Sequence, residues 1–299
     1  MENSGRAAFL FPGLGSQSAG MGIGLAETDS GKAVLQTVDD ALGWSISAML
    51  TDPTPGLLDR PSIAHPGIFA VSIAEYASVA QQPARSNGSG PSFVAGHSLG
   101  LFAAITAARS LDTPTGAYLV YQQGLLMEEA ASENRGGMGA IVGLDVEAVE
   151  SLCSATGAEI SHTNGPDQII VSAESTALEK TMETAQTAGA WAKVLHTDGL
   201  FHHSDMKDAR EKMRQLLREA EISDPEIPVV RTTTVQPARN AGEIRDEILA
   251  QFCETVRWHE SISYMSANGV TDFVEIGPGQ VLTKLMNRSR SRADLKTAR

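Results

Sequence analysis

The stretch Ser92-Phe93-Val94-Ala95-Gly96-His97-Ser98-Leu99-Gly100 runs from a short apolar segment into a G-x-S-x-G sequence. A helix of small and apolar residues is expected to follow, over 101–109. A strand, a glycine-flanked serine and a helix in that order form the context of a nucleophile elbow. Glycines two residues to either side permit a tight turn that pushes the serine out, and the helix N-terminus behind it presents amide donors to an oxyanion. Ser98 is therefore the candidate nucleophile.

Outward toward the N-terminus, the apolar run Ala7 to Phe11 ends in Pro12-Gly13-Leu14-Gly15-Ser16-Gln17, a strand stopping in a glycine-rich loop. That loop lacks the lysine and spacing of a phosphate cradle, but its backbone suits a second oxyanion donor. Helices are expected near 29–50, 61–82 and 113–131, with a surface loop over 81–91. Strands alternating with helices predict an α/β fold with a parallel sheet.

Between 133 and 198 the pattern changes to strand (138–143), helix (145–155), a weak strand (158–162), strand (168–172), helix (174–189) and strand (191–196). This order fits a ferredoxin-like α+β insert in a larger domain formed by 1–132 and 199–299. After it, Met206, Ala209, Met213, Leu216, Leu217 and Ala220 repeat at spacings of three and four, the mark of an amphipathic helix. Strands near 228–231 and 272–276 complete the large domain, the second ending in Gly277-Pro278-Gly279.

A serine hydroxyl needs a base, and the chain has seven histidines. His97 adjoins Ser98 and is expected to pack beneath the turn. His65, His162, His196 and His259 carry no neighbouring motif and read as surface or structural. His202 and His203, in Leu200-Phe201-His202-His203-Ser204-Asp205-Met206, open the amphipathic helix at the domain junction. Spacing does not separate these two.

Composition bounds the rest. With 299 residues, 42% hydrophobic and 20% charged, the chain is long enough to bury a sizeable core. Its net charge of −13 excludes a generally nucleic-acid-binding surface. Cys153 and Cys253 lie far apart and match neither a disulfide framework nor a zinc spacing. No apolar run approaches the roughly 18 residues of a membrane span. A cytoplasmic monomer without metal or permanent cofactor is expected.

Five motifs in order carry a resemblance. Phe11–Gln17 matches FPGQGSQ, Gly96–Gly100 matches GHSxG, Asn164-Gly165-Pro166-Asp167-Gln168 matches NxPxQ, Phe201-His202 with Met206 matches FHSxxM, and Glu275–Gly279 matches E(I/V)GPG. The chain resembles the malonyl-CoA:acyl-carrier-protein transacylase family, which includes the acyltransferases of fatty-acid and polyketide synthases. The resemblance implies an α/β-hydrolase-like large subdomain with the ferredoxin-like unit capping its cleft. It also implies Ser98 as nucleophile, His202 as base, the Gln251 backbone carbonyl as the group orienting it, and an oxyanion hole from the amides of Leu14 and Leu99. His203 is then a bystander. The partners implied are an acyl-carrier protein and its phosphopantetheine, or CoA, as acyl donor and acceptor.

Departures bear on the cargo. Leu14 replaces a glutamine and Leu101 a glutamate. Gln123, in Val120-Tyr121-Gln122-Gln123-Gly124, stands where malonyl-handling members carry an arginine that pairs with the free carboxylate, and a neutral amide cannot make that pair. Gly199 before Phe201 removes bulk from the segment ahead of the histidine, either opening the pocket or serving as a turn glycine. Gln123, Gly199, Phe201 and Asn164 are the expected substrate-binding residues. The expected reaction is two-step transfer of a non-malonyl acyl group through acyl-Ser98 in polyketide biosynthesis. Malonyl transfer, hydrolysis of acyl carriers and a non-catalytic carrier-binding homologue are the alternatives. Lys284, Arg288, Arg290 and Arg292 form a C-terminal basic run that could meet an acidic carrier protein.

Overall fold

The computed structural model describes residues 6–51, 56–80, 90–133 and 135–288. The expected loop over 81–91 falls almost wholly outside them, as do Arg290 and Arg292.

The large unit is built on a five-stranded sheet of order β8-β7-β2-β1-β9. Its strands are β1 (Arg6–Phe11), β2 (Phe93–Gly96), β7 (Val229–Arg231), β8 (Gln236–Ala238) and β9 (Val270–Glu275). β1 pairs in parallel with β2 and β9, and β2 with β7. Short β8, missed in the sequence, adds an antiparallel edge to β7. Because parallel strands are covered on both faces, β1 reads as a continuous apolar run rather than an alternating one. Phe9 and Phe11 enter the main core, while Ala8 and Leu10 face the opposite layer with Trp258 and Met265.

Helices α1 (Asp29–Leu42) and α2 (Ile46–Thr51) divide the single helix expected near 29–50. Gly43 caps α1, and Asp39 receives the Ser45 and Ser47 hydroxyls across the break. α3 (Pro61–Ala80), α4 (Gly100–Ala107) and α5 (Thr113–Glu133) fill the main core. α3 is long and apolar enough to cross a membrane, contrary to the sequence expectation, and 61% of that window is buried inside the fold. A helix apolar all round suits such a central position. α8 (Lys207–Glu219), α9 (Ala241–Cys253) and α10 (Trp258–Ala267) complete the layers.

The second sheet is antiparallel, with order β4-β5-β3-β6. It comprises β3 (Gly136–Val142), β4 (Glu159–Gly165), β5 (Gln168–Glu174) and β6 (Trp191–Asp198), with α6 (Val146–Thr156) and α7 (Ser175–Thr187) between them. That order is the split βαβ arrangement read from the sequence. Ile141, Ile169 and Val171 pack with Val149, Leu152, Leu178 and Met182 as a core of its own. Met138, Ala140 and Ile170 join the main core instead, so the two faces of this sheet serve different cores. β4 is bridged to the segment after α9 by Thr163 N to Val256 O at 3.0 Å and Val256 N to Ser161 O at 2.8 Å.

Candidate active site

β2 ends at Gly96, and α4 begins at Gly100. Between them Ser98 holds φ at 53°, in the left-handed region where non-glycine residues are strained. A Cβ at Gly96 would overlap the Gly100 carbonyl and the Leu101 amide, and one at Gly100 would overlap the Phe11 and Pro12 carbonyls. Both glycines are thus required by close approach of backbone to backbone, which is why the motif carries them at that spacing.

The base arrives on a second strained residue. β6 ends at Asp198, Gly199 turns the chain at φ 123°, and His202 sits at φ 53°. His202 Nε2 lies 2.8 Å from Ser98 Oγ. His203 points elsewhere: its Nδ1 accepts from Asp205 N at 3.1 Å and caps the turn leading into α8. Tertiary structure therefore chooses between the neighbours, and His202 is the partner of the serine.

A model of the acyl transferase domain matches residues 8–299. The chain belongs to the acyltransferase domain family. The malonyl CoA-acyl carrier protein transacylase of Bacillus subtilis is 33% identical over 98% of this chain and 92% of its own length. The acyl-carrier-protein S-malonyltransferase of Bartonella henselae superposes with a TM-score of 0.90 at 34% identity, covering 95% of this chain and 92% of that one. A malonyl-transacylase solved in complex with a type II PKS acyl-carrier protein superposes with a TM-score of 0.89 at 31% identity, covering 95% and 93%.

In this acyltransferase the His202 ring is held neutral. Burial lowers its pKa from 6.5 to about 4, against an opposing pull from the Gln251 backbone carbonyl. That carbonyl belongs to the last turn of α9, whose final carbonyls lack intrahelical partners. Ala250 O is taken by Glu254 N and Phe252 O by His203 N, while Gln251 O faces the His202 ring. His202 Nδ1 is buried, and the Gln251 carbonyl is the backbone acceptor acting on the ring.

Two histidines expected to be surface or structural are both buried, and one of them touches the dyad. His162 is 6% exposed, stacks on His97 at 5.0 Å between centroids and meets His202 edge to face at 4.5 Å. A register shift between Ile160 and His162 breaks the strand alternation, so Ile160 stays in the small core while His162 turns to the dyad. Its only sequence signal is its place two residues before Asn164. His65, on α3, is 1% exposed, and neither ring nitrogen has a partner of hydrogen-bond geometry. Burial lowers its pKa to about 4, and the groups acting on it are Gln123, Glu128 and His202.

The remaining expected residues divide. His97 packs behind the elbow as read, edge-on to Trp258, with Nε2 at 2.8 Å from Asn164 Oδ1. Asn164, expected at the substrate, therefore ties β4 to the elbow. Gly199 is accounted for by its backbone, and a Cβ there would meet the Phe201 ring and Ala131. Phe201 is 3% exposed and packs in the main core rather than lining an open wall. Gln123 is buried beside His65, and its side chain acts on that ring as a hydrogen-bond acceptor. The loop carrying Leu14 presses on the elbow so closely that a Cβ at Gly13 would overlap the His97 carbonyl. The Glu275–Gly279 motif is a support: Glu275 accepts from Leu282 N and Thr283 N at 2.9 and 2.8 Å, and Gly277 N donates to Glu75 at 2.8 Å. No group of three or more His, Cys, Asp or Glu among the described residues is arranged to hold a metal.

Proposed function

We propose that this acyltransferase passes an acyl group between thioesters of CoA or acyl-carrier-protein phosphopantetheine through an ester on Ser98. The observation that carries it is the 2.8 Å contact between Ser98 Oγ and His202 Nε2. His202 takes the hydroxyl proton as Oγ attacks the thioester carbonyl, and the imidazolium then protonates the departing thiolate. An incoming pantetheine thiol gives its proton to His202 and attacks the ester, and as the acyl group leaves on the thiol sulfur His202 returns that proton to Ser98 Oγ. The amides of Leu99, at the start of α4, and of Leu14, in the loop pressed against the elbow, are the donors assigned to the oxyanion. The Gln251 carbonyl supports the imidazolium transiently formed.

For the cargo, the malonyl-transferring relatives support malonyl, which takes precedence over the uncharged acyl group expected from Gln123. The same relatives support an acyl-carrier protein as partner and a setting in polyketide biosynthesis. A second reading, an uncharged acyl group, is favoured by Gln123 itself, a buried neutral amide beside the neutral ring of His65. Exposed Lys284 and Arg288 are the described part of the basic run proposed to meet the carrier.

Incubation with malonyl-CoA, acetyl-CoA and longer acyl-CoAs, reading the mass on Ser98 before and after adding holo carrier protein, tests the reading. A malonyl adduct that persists until the carrier is added is expected. Adducts from uncharged thioesters alone would install the second reading, and adducts that decay equally fast without carrier would replace transfer by hydrolysis.

A further inference from the structure

Glu247 lies on α9 one turn before Gln251 and is 1% exposed. Its Oε1 accepts from Thr232 N at 2.7 Å, Thr233 N at 3.2 Å, Thr232 Oγ1 at 3.0 Å and Gln251 Nε2 at 3.1 Å. Its Oε2 accepts from the Thr233 hydroxyl. Gln251 Nε2 also donates to Thr232 Oγ1 at 2.9 Å. These contacts to the carboxylate are all made by neutral donors. A buried carboxylate is costly to desolvate and is tolerated only when its oxygens are this fully engaged.

The two ends of this cluster lead to the two halves of the dyad. Thr232 and Thr233 directly follow β7, which pairs with β2 through Val94 and Val229, and β2 delivers Ser98. Gln251 leads the other way: the next residue, Phe252, accepts from His203 N at 3.3 Å, tying the end of α9 to the segment that carries His202, and the Gln251 carbonyl acts on the His202 ring. The amide side chain is therefore an anchor, while the backbone of the same residue acts on the base.

We propose that Glu247 is a positioning residue that locks the C-terminal turn of α9 to the nucleophile's sheet and so holds the Gln251 carbonyl, and with it His202, in register with Ser98. This rests on the dyad reading above and on no particular cargo. Without the lock, α9 can slide against β7 while both elements stay folded, and small displacements of a base cost rate steeply.

The test uses the full chain and a fluorophosphonate, which needs only an activated Ser98: the Ser98–phosphorus bond forms, the phosphorus–fluorine bond breaks, and His202 takes the hydroxyl proton. Intact mass gives both the labelling rate constant and the final labelled fraction. Glu247→Ala is expected to label to the full fraction but about ten- to a hundredfold more slowly, with the KM for an acyl thioester unchanged. Gln251→Ala is expected to slow labelling too, and the double variant to be no slower than the slower single one, since both cut the same link. Glu247→Gln is expected to stay near wild type, because its carbonyl keeps the Oε1 contacts and its amide can donate to the Thr233 hydroxyl.

A wild-type rate in Glu247→Ala, or a lower labelled fraction with an unchanged rate constant, overturns the proposal. A Glu247→Gln rate as low as that of the alanine variant overturns it as well, since charge rather than geometry would then be at work. If Glu247→Ala does not fold, unchanged rates in both Gln251→Ala and Thr233→Val have the same force. Wild-type protein that does not label at all would overturn the dyad itself, and this proposal with it.

Discussion

Ser98 and His202 face each other at 2.8 Å, and both hold φ at 53°. Two strained backbones meeting at one contact is a costly arrangement, of order 1–3 kcal/mol for each residue. It is sustained by what lies behind: the Gly96 and Gly100 crossings under the serine, and the α9 terminus with the His203 cap under the histidine.

Removal of His202 should therefore act on chemistry, and removal of His203 on stability. In single-turnover acylation followed by mass, His202→Ala is expected to lose about 10²- to 10⁴-fold in rate, the range for a general base. His203→Ala should keep the rate while losing about 1 kcal/mol of stability with its cap, read by thermal melting.

The pH response follows from the same burial. His202 holds its pKa at about 4, so the base is neutral through the ordinary range. Acylation of Ser98 should be flat from neutral pH down to about 5 and fall as the pH approaches 4.

Stability should respond sooner than activity. His65 and His202 both drop from 6.5 in the unfolded chain to about 4 in the fold. Below 6.5 the unfolded chain binds protons that the folded chain refuses, so their contribution is complete above 6.5 and is lost as the pH falls toward 4. Each pKa unit corresponds to about 1.4 kcal/mol. Melting temperature should fall across that window, and His65→Gln should flatten part of the fall.

Gly100→Ala tests the elbow. Its Cβ would strike the Phe11 and Pro12 carbonyls, which are backbone and cannot swing aside. A loss of about 3 kcal/mol or more is expected, the size reached by overpacking a rigid site, together with loss of Ser98 labelling in the fraction that remains folded.

Gln123→Leu separates function from stability. Gln123 Oε1 has His65 as its polar neighbour and makes no hydrogen bond of full geometry, so an apolar side chain of similar size should change stability by no more than about 1 kcal/mol. If the Gln123 amide contacts the cargo, the same variant should change the ratio of rates between malonyl and acetyl thioesters; an unchanged ratio removes Gln123 from the pocket.

Sequence by itself determined whatever is written locally. The apolar runs at Ala7–Phe11 and Phe93–Ala95, the glycines around Ser98 and the strand-helix order of 136–198 set the elements, because periodicity and backbone sterics act over a few residues. Spacing left His202 and His203 open and only the motif resemblance favoured His202; the tertiary structure brings His202 to Ser98 across 104 positions and turns His203 away. It also brought in His162 through a register shift, sealed His65 inside an apolar helix, and closed Glu247 over Thr232 and Gln251. None of these has a local signature: each side chain's role comes from which distant backbone it meets and how much water is excluded there.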